Sequence, residues 1–466
     1  MNEKTKRGSF SGQLGFIMAA AGSAVGLGNI WRFPYLAAKD GGGLFILIYL
    51  ILAVTFGFTL LTTEIAIGRK TKQSPLTAYK KIHPKWGGIG VLACMVPILI
   101  LPYYCSIGGW VFKYLSLYLT GHGGDAVGDQ YFSGYISGIG QPIIWMLIYF
   151  GITAFVVISG VEKGIEKYSK ILMPILVVMI IGISIFTLTL SHTDEAGITR
   201  TGLQGLKVYL IPDFKDLTFK TLFITIMDAM GQLFFSISVA MGIMVTYGSY
   251  AKDETDLTKS INQIEIFDTA IALLAGMMII PTVFAFAGKE GMSAGPGLIF
   301  VSLPKVFDAM GLVGKIVAPV FFLIVSFAAI TSSVSVMEAI VSSLMDAFHI
   351  SRNKGSVIVI IYTLITGVIV CLGYNLLYVE VTLPNGSVGQ VLDILDYISN
   401  FVLMPIVAIL TSILIGWIVK PKVIIDEVTK SGCKFSRKWV YIVMIKFIVP
   451  AMLIILFLQA LGVIKF

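Results

Sequence analysis

The chain has 466 residues, 56% of them hydrophobic and 13% charged, with a formal net charge of +8. Soluble domains carry about 25% charged residues, so this composition and a mean hydropathy of +0.89 indicate a polytopic helical membrane protein and exclude a soluble enzyme. The excess of positive charge does not indicate nucleic-acid binding, because the basic residues avoid the apolar runs and gather in short connectors, as cytoplasmic loops do.

The first apolar run, 14–37, is broken in its middle by Ser23-Ala24-Val25-Gly26-Leu27-Gly28-Asn29, and Trp31-Arg32-Phe33-Pro34 follows. In lipid every backbone N–H and C=O must be satisfied, and unwound backbone is tolerated only where it lines a cavity or is buried in protein. Two glycines and an Asn at mid-membrane therefore predict an unwound segment that binds something. Arg32, an ionisable group near membrane depth, points the same way. The alternative is a packing face in which Gly22, Gly26 and Gly28 let a neighbour approach closely.

Further runs of spanning length fall at 43–68, 89–119, 142–159, 166–190, 219–247, 261–287, 313–346, 355–376, 389–419 and 438–463, about eleven helices in all. The first run is long and leads straight into the second, so it reads as a retained helix rather than a cleaved signal. With Lys4, Lys6 and Arg7 in the cytoplasm, Arg69 to Lys85, Lys163 to Lys170, Lys252 and Lys259, Arg352 and Lys354, and Lys420 to Lys438 are also inside. The connectors 121–141 and 374–388, which hold no Lys or Arg, are outside. That satisfies the positive-inside rule. An odd number of spans places the C-terminus outside, although Lys446 lies within the last one. Cys94, Cys105, Cys371 and Cys433 show neither metal nor disulfide spacing. The connector 288–312, punctuated by Gly295-Pro296-Gly297 and Pro304, predicts short helices over the outer mouth, as a lid or as an ordinary solvated loop.

The sixth run carries a second break, with polar and small residues from Gln232 through Ser236 and Ser238 to Gly242. Corresponding breaks five helices apart point to two inverted repeats sharing a midplane site. A half-helix that begins after a break presents free N–H groups suited to a carboxylate. One that ends at a break presents carbonyls suited to a cation or ammonium. Such a site accommodates a zwitterion, which is to say an amino acid. The eighth run adds Thr331-Ser332-Ser333, hydroxyls that either line the site or bond back to their own helix. Asp268 in the seventh run is a carboxylate that lipid would penalise heavily without a partner. Sodium, a hard cation, favours oxygen ligands of these kinds.

These residues resemble the neurotransmitter:sodium symporters. The likeness runs through Gly26-Leu27-Gly28, Asn29 to Pro34, Gly41-Gly42-Gly43, Glu64, Gly68-Arg69, Tyr103-Tyr104, Trp110, Gln232 to Ser238, Thr331-Ser332-Ser333 and Asp393 to Asp396. It covers nearly the whole chain and is similar to the bacterial amino-acid branch with eleven rather than twelve helices. Paired breaks around inverted repeats are a known property of that family. The resemblance implies a leucine-transporter fold with unwound helices one and six. Its first repeat would be 1–190 with a cytoplasmic latch at 1–13, its second 191–420 with the lid 288–312, and 421–466 would add a connector and helix eleven.

It further implies a sodium-coupled symporter of a hydrophobic or aromatic L-amino acid in the bacterial inner membrane. Neither chloride nor an obligate protein partner is expected. One sodium site would use Ala24, Asn29, Ser236 and Asp268, the other Gly22, Val25, Ala328, Thr331 and Ser332. Leu27, Gly28 and Tyr104 would meet the substrate carboxylate, and Ala24, Phe235, Ser236 and Ser238 the ammonium. Ser23, Ile100, Phe235, Ser238, Met241, Ser332 and Val336 would form the side-chain pocket. Animal relatives have Asn where Asp268 stands, so the carboxylate here would replace chloride, and its protonation would give proton counter-transport. Arg32 with Asp396 would gate the outside, with Asp228 competing for Arg32. Arg7 with Asp346 would gate the inside, with Phe10 and Tyr250 nearby. Glu64 would accept hydrogen bonds from unwound amides near Gly26. Leucine-preferring relatives have Gly-Phe-Gly where this chain has Ala240-Met241-Gly242, and a flexible Met repacks around bulky side chains. The alternatives are a carrier for small aliphatic amino acids and a sodium-dependent sensor that does not transport. An intramembrane hydrolase lacks its histidine, because His83, His122, His192 and His349 lie in connectors or at a helix end.

Overall fold

The computed structural model describes residues 8–194, 197–214, 217–288, 291–292 and 295–464. Among them, nine helices are long and apolar enough to cross a membrane, and the pair Gln13–Ala24 and Gly28–Lys39, bent by 53°, makes a tenth. The sixth segment is split into Phe219–Ser236 and Ile243–Tyr250. Length and composition therefore give ten spans, and eleven is reached only by counting this split segment.

Both expected breaks are present. The first helix stops at Ala24 because Val25 turns extended, with ψ 99. The sixth stops at Ser236, and the chain passes through left-handed backbone at Ser238 (φ 54), Ala240 (φ 61) and Gly242 (φ 74) before helix resumes. Only Gly adopts that conformation without steric cost. Ser238 and Ala240 hold it because the break is buried among other spans.

Glycines let the spans approach backbone to backbone. A Cβ on Gly68 of the second span, Gly43–Thr71, would lie 2.0 Å from the Val245 carbonyl, and one on Gly248 2.3 Å from that of Ile65. The inner half of the sixth segment is thereby pressed onto the second span, the small-residue packing that lipid favours.

Widened turns occur within several spans, at Ala53–Gly57, Val161–Glu166, Tyr397–Leu403, Leu414–Ile418 and Met444–Ile448, and no pattern in the sequence announced them. Such turns leave carbonyls without an i+4 donor. The Val54 carbonyl receives the Arg437 guanidinium at 2.9 Å.

The connectors hold more structure than expected. Ser191–Thr193 pairs antiparallel with Thr199–Thr201, and Val381–Thr382 with Val388–Gly389. The connector 288–312 forms the expected short helices, Leu298–Ser302 and Leu303–Ala309. They are packed rather than solvated: Phe300 stacks on Phe132 at 4.9 Å, and its carbonyl accepts from the Tyr114 hydroxyl at 2.9 Å. Arg69, placed by the sequence on the cytoplasmic side, is fully buried. It donates to the Glu427 carboxylate at 2.8 Å and to the Thr255 carbonyl at 2.7 Å.

Candidate substrate and ion site

The two breaks face each other at the centre of the bundle. Ser238 donates through its hydroxyl to the Ser23 carbonyl at 3.0 Å, and the two hydroxyls lie 3.2 Å apart. Ser332 of the eighth span, Gly314–Phe348, donates towards the Ser23 and Val25 carbonyls at 3.2 and 3.3 Å. Gln232 donates to the Gly28 carbonyl at 3.0 Å. Carbonyls released by unwinding are thus met by side chains from the sixth and eighth spans.

Around them lies a small cavity of about 30 Å³. All twelve residues expected to touch substrate line it: Ser23, Ala24, Leu27, Gly28, Ile100, Tyr104, Phe235, Ser236, Ser238, Met241, Ser332 and Val336. Gly26, Asn29 and Ile243 complete the lining. Gly26 is required by close approach, since a Cβ there would lie 2.8 Å from Ser332 Oγ and 3.4 Å from the Tyr104 hydroxyl. That hydroxyl is buried and has no hydrogen-bond partner among the described residues. A buried donor without a partner is costly, so the Tyr104 hydroxyl is poised to bind a polar group in the cavity.

Beside the cavity, Asp268 gathers donors from three elements. Its Oδ1 accepts from Asn29 Nδ2 at 2.8 Å and Ser236 Oγ at 2.7 Å, and its Oδ2 from the Tyr49 hydroxyl at 3.4 Å. The Asn29 side-chain oxygen accepts from the Gly26 amide at 3.0 Å, so Asn29 ties the unwound backbone to the carboxylate. These side chains carry carboxylate, hydroxyl and amide oxygens with one negative charge, the ligand types that suit a hard monovalent cation, although here Asn29 turns its nitrogen to the carboxylate and its oxygen to the Gly26 amide. Tyr49 was not expected, and nothing in the run Phe45 to Leu52 distinguishes it from a lipid-facing aromatic.

Of the second expected cation set, Gly22 lies beside Thr331, whose Cβ would lie 3.3 Å from a Cβ built there, and Val25 beside Ser332. Thr331 itself bonds back to the Phe327 and Ala328 carbonyls at 3.0 and 3.1 Å. Ser333 turns away, to Tyr149 and Thr153. Glu64 departs from expectation in its partner: Oε1 accepts at 2.6 Å from the Ala240 amide, in the sixth-segment break, not from the amides near Gly26.

Above the cavity a larger space of about 420 Å³ is lined by Arg32, Asp228, Phe235 and Asn400 among others. Phe235 lines both spaces and is therefore the wall between them. Arg32 and Asp396 form no ion pair among the described residues. Asp396 accepts instead from Asn400 at 2.6 Å, and Asp228 is paired with Lys39 at 2.7 Å rather than with Arg32. Lys39 also lies 3.7 Å from Asp40. Burial, with Asp228 adding a like charge, pushes the Asp40 carboxyl up to about 7.

The inner side is covered. Phe10 is buried against Phe16, Tyr247 and Tyr250, with ring centroids 5.7, 5.7 and 6.0 Å away. Arg7, the expected inner partner of Asp346, lies outside the described residues, and Asp346 accepts from the Ser74 amide at 2.6 Å.

Comparison with known proteins agrees with this geometry. A sequence profile for the sodium:neurotransmitter symporter family matches residues 7–123 and 130–466. An uncharacterized sodium-dependent transporter of Bacillus subtilis, YhdH, is 34% identical over 468 residues, covering 98% of each chain. The human sodium- and chloride-dependent GABA transporter 2 is 26% identical, over 91% of this chain and 75% of its own. Among solved structures, MhsT in complex with L-phenylalanine matches with a TM-score of 0.83 and 34% identity, over 97% of this chain and 100% of that one.

Proposed function

Because the chain belongs to the sodium:neurotransmitter symporter family, whose members are secondary transporters rather than enzymes, we propose that it imports a hydrophobic or aromatic L-amino acid by alternating access. Sodium supplies the driving force and is itself carried. The observation that carries this reading is the convergence of Asn29, Ser236 and the Asp268 carboxylate beside a cavity lined by both unwound segments. In the proposal Ala24, Asn29, Ser236 and Asp268 hold one sodium. Gly22, Val25, Ala328, Thr331 and Ser332 hold the other, with Thr331 turning away from its own helix to do so. The substrate carboxylate meets the Leu27 and Gly28 amides and the Tyr104 hydroxyl, and completes the first sodium site. Substrate and that sodium then improve each other's binding reciprocally.

Asp268 supplies the negative charge that a chloride-dependent carrier obtains from its anion, so transport is chloride-independent, and protonation of Asp268 in the empty carrier returns a proton outward. Residues 1–190 and 191–420 are taken as the two inverted repeats, the N-terminus as cytoplasmic and the C-terminus as external. Preference for a large side chain is supported by Met241 and by the phenylalanine bound in the related MhsT. A second reading, a carrier for small aliphatic amino acids, is favoured by the cavity's volume of about 30 Å³. Uptake into proteoliposomes over a panel of amino acids, with and without sodium, chloride and an imposed pH gradient, tests the substrate, sodium, chloride and proton parts of the proposal. Accumulation that ignores sodium refutes the central claim.

A further inference from the structure

We infer that Glu166 is an inner-gate residue: its carboxylate, supplied by the fifth span, grips Ser11 at the entry to the first helix and sets how readily that half-helix leaves the bundle. The inference rests on the alternating-access reading above. Gln13–Ala24 is separated from the rest of its span by the break, so it can move as a unit about Val25. Its own N-terminus is poorly finished. The N-cap is Gly12, no side chain caps it, and no acidic residue stands in its first turn. A helix N-terminus carries unsatisfied amides and the positive end of the dipole, and a carboxylate there is stabilising.

Glu166, 2% exposed, brings a carboxylate beside that end from another helix, with its hydrogen bonds going to Ser11 just before the helix. Its Oε2 accepts from the Ser11 amide at 2.7 Å, and its Oε1 accepts from the Ser11 hydroxyl and from Lys170 Nζ, the latter at 2.5 Å. Gly15 makes room for it, since a Cβ there would fall 2.2 Å from the Glu166 carboxyl carbon. The other polar ties of this segment end on neutral acceptors or on lysines: Phe10 N to the Tyr250 carbonyl at 3.2 Å, Lys252 Nζ to the Ser11 carbonyl at 2.9 Å, and Lys170 Nζ to the Ser11 hydroxyl at 3.3 Å. Glu166 is thus the one carboxylate side chain holding this end among the described residues. Departure of the half-helix removes the two Ser11 donors from a buried carboxylate and leaves it with Lys170 alone, so it costs at both partners.

Amide hydrogen exchange on the full chain in lipid nanodiscs tests this. In Glu166→Ala, exchange at residues 13–24 should quicken about tenfold, the scale of one hydrogen bond to a charged acceptor, while the seventh and eighth spans keep their wild-type rates. Ser11→Ala should show the same local pattern more weakly. Glu166→Gln, which still accepts from the Ser11 amide, should fall between wild type and Glu166→Ala. Unchanged exchange at 13–24, or equal quickening in all spans, overturns the proposal, the second because it marks a general loss of stability. Sodium-driven uptake measured on the wild type in parallel separates this result from failure of the transport reading.

Discussion

Asn29 and Asp268 are joined across the first break, the amide nitrogen of one donating to Oδ1 of the other at 2.8 Å while the Asn29 oxygen holds the Gly26 amide. The charge state of Asp268 is thereby linked directly to the shape of the unwound backbone. Asp268→Asn removes the negative charge and keeps the size. We expect sodium-driven uptake to fall at least about tenfold, the scale of losing a hydrogen bond to a charged group, and chloride to restore part of it. Uptake equal to wild type in chloride-free buffer would refute the assignment.

Gly26 and Gly68 are both crowded, with different consequences. In Gly26→Ala the new methyl enters the cavity 2.8 Å from Ser332 Oγ. Substrate binding, read by scintillation proximity, should be lost with little change in thermal unfolding. In Gly68→Ala the methyl meets the Val245 carbonyl at 2.0 Å, and backbone cannot rotate away. That variant should lose about 1–3 kcal/mol of stability, the usual cost of overpacking.

Arg69 and Glu427 form an ion pair with side chains 0% and 5% exposed. Glu427→Ala leaves the guanidinium buried without its charge partner and should destabilise by about 3–5 kcal/mol. Replacing both by Met and Leu should cost much less, because no unpaired charge remains. Thermal unfolding of the purified variants decides between them.

Asp40 gives the outer end a pH dependence. A carboxyl raised from its ordinary value to about 7 in the folded protein binds more protons folded than unfolded, so stability falls as pH rises from about 4 to 7 and levels off above. Melting temperature should therefore be higher at pH 5 than at pH 8, and Asp40→Asn should narrow that difference. A pH profile identical in wild type and Asp40→Asn would contradict the assignment.

The parts of this protein legible in its sequence are those that lipid enforces. Span positions follow from apolar length, and both breaks from glycine and polar residues where lipid tolerates few. The cavity lining followed from the family resemblance, with Gly26 and Ile243 the additions to the residues expected there. What escaped notice was set by tertiary partners. Tyr49 is indistinguishable in sequence from a lipid-facing aromatic until Asp268 is placed beside it. Glu64 was assigned to the wrong break because both present free amides. The burial of Arg69 is not visible in sequence because its counter-charge lies 358 residues away.

Phe235 is the wall between the outer space and the central cavity, whereas the inner side is closed by Phe10 and its aromatic neighbours and by a helix gripped at its end. These are barriers of different kinds. A ring turns about a side-chain bond on the nanosecond scale or somewhat slower when packed, whereas moving a half-helix belongs to microseconds or longer. On the transport reading proposed above, this difference predicts that ligands exchange with the outside more readily than they pass inward.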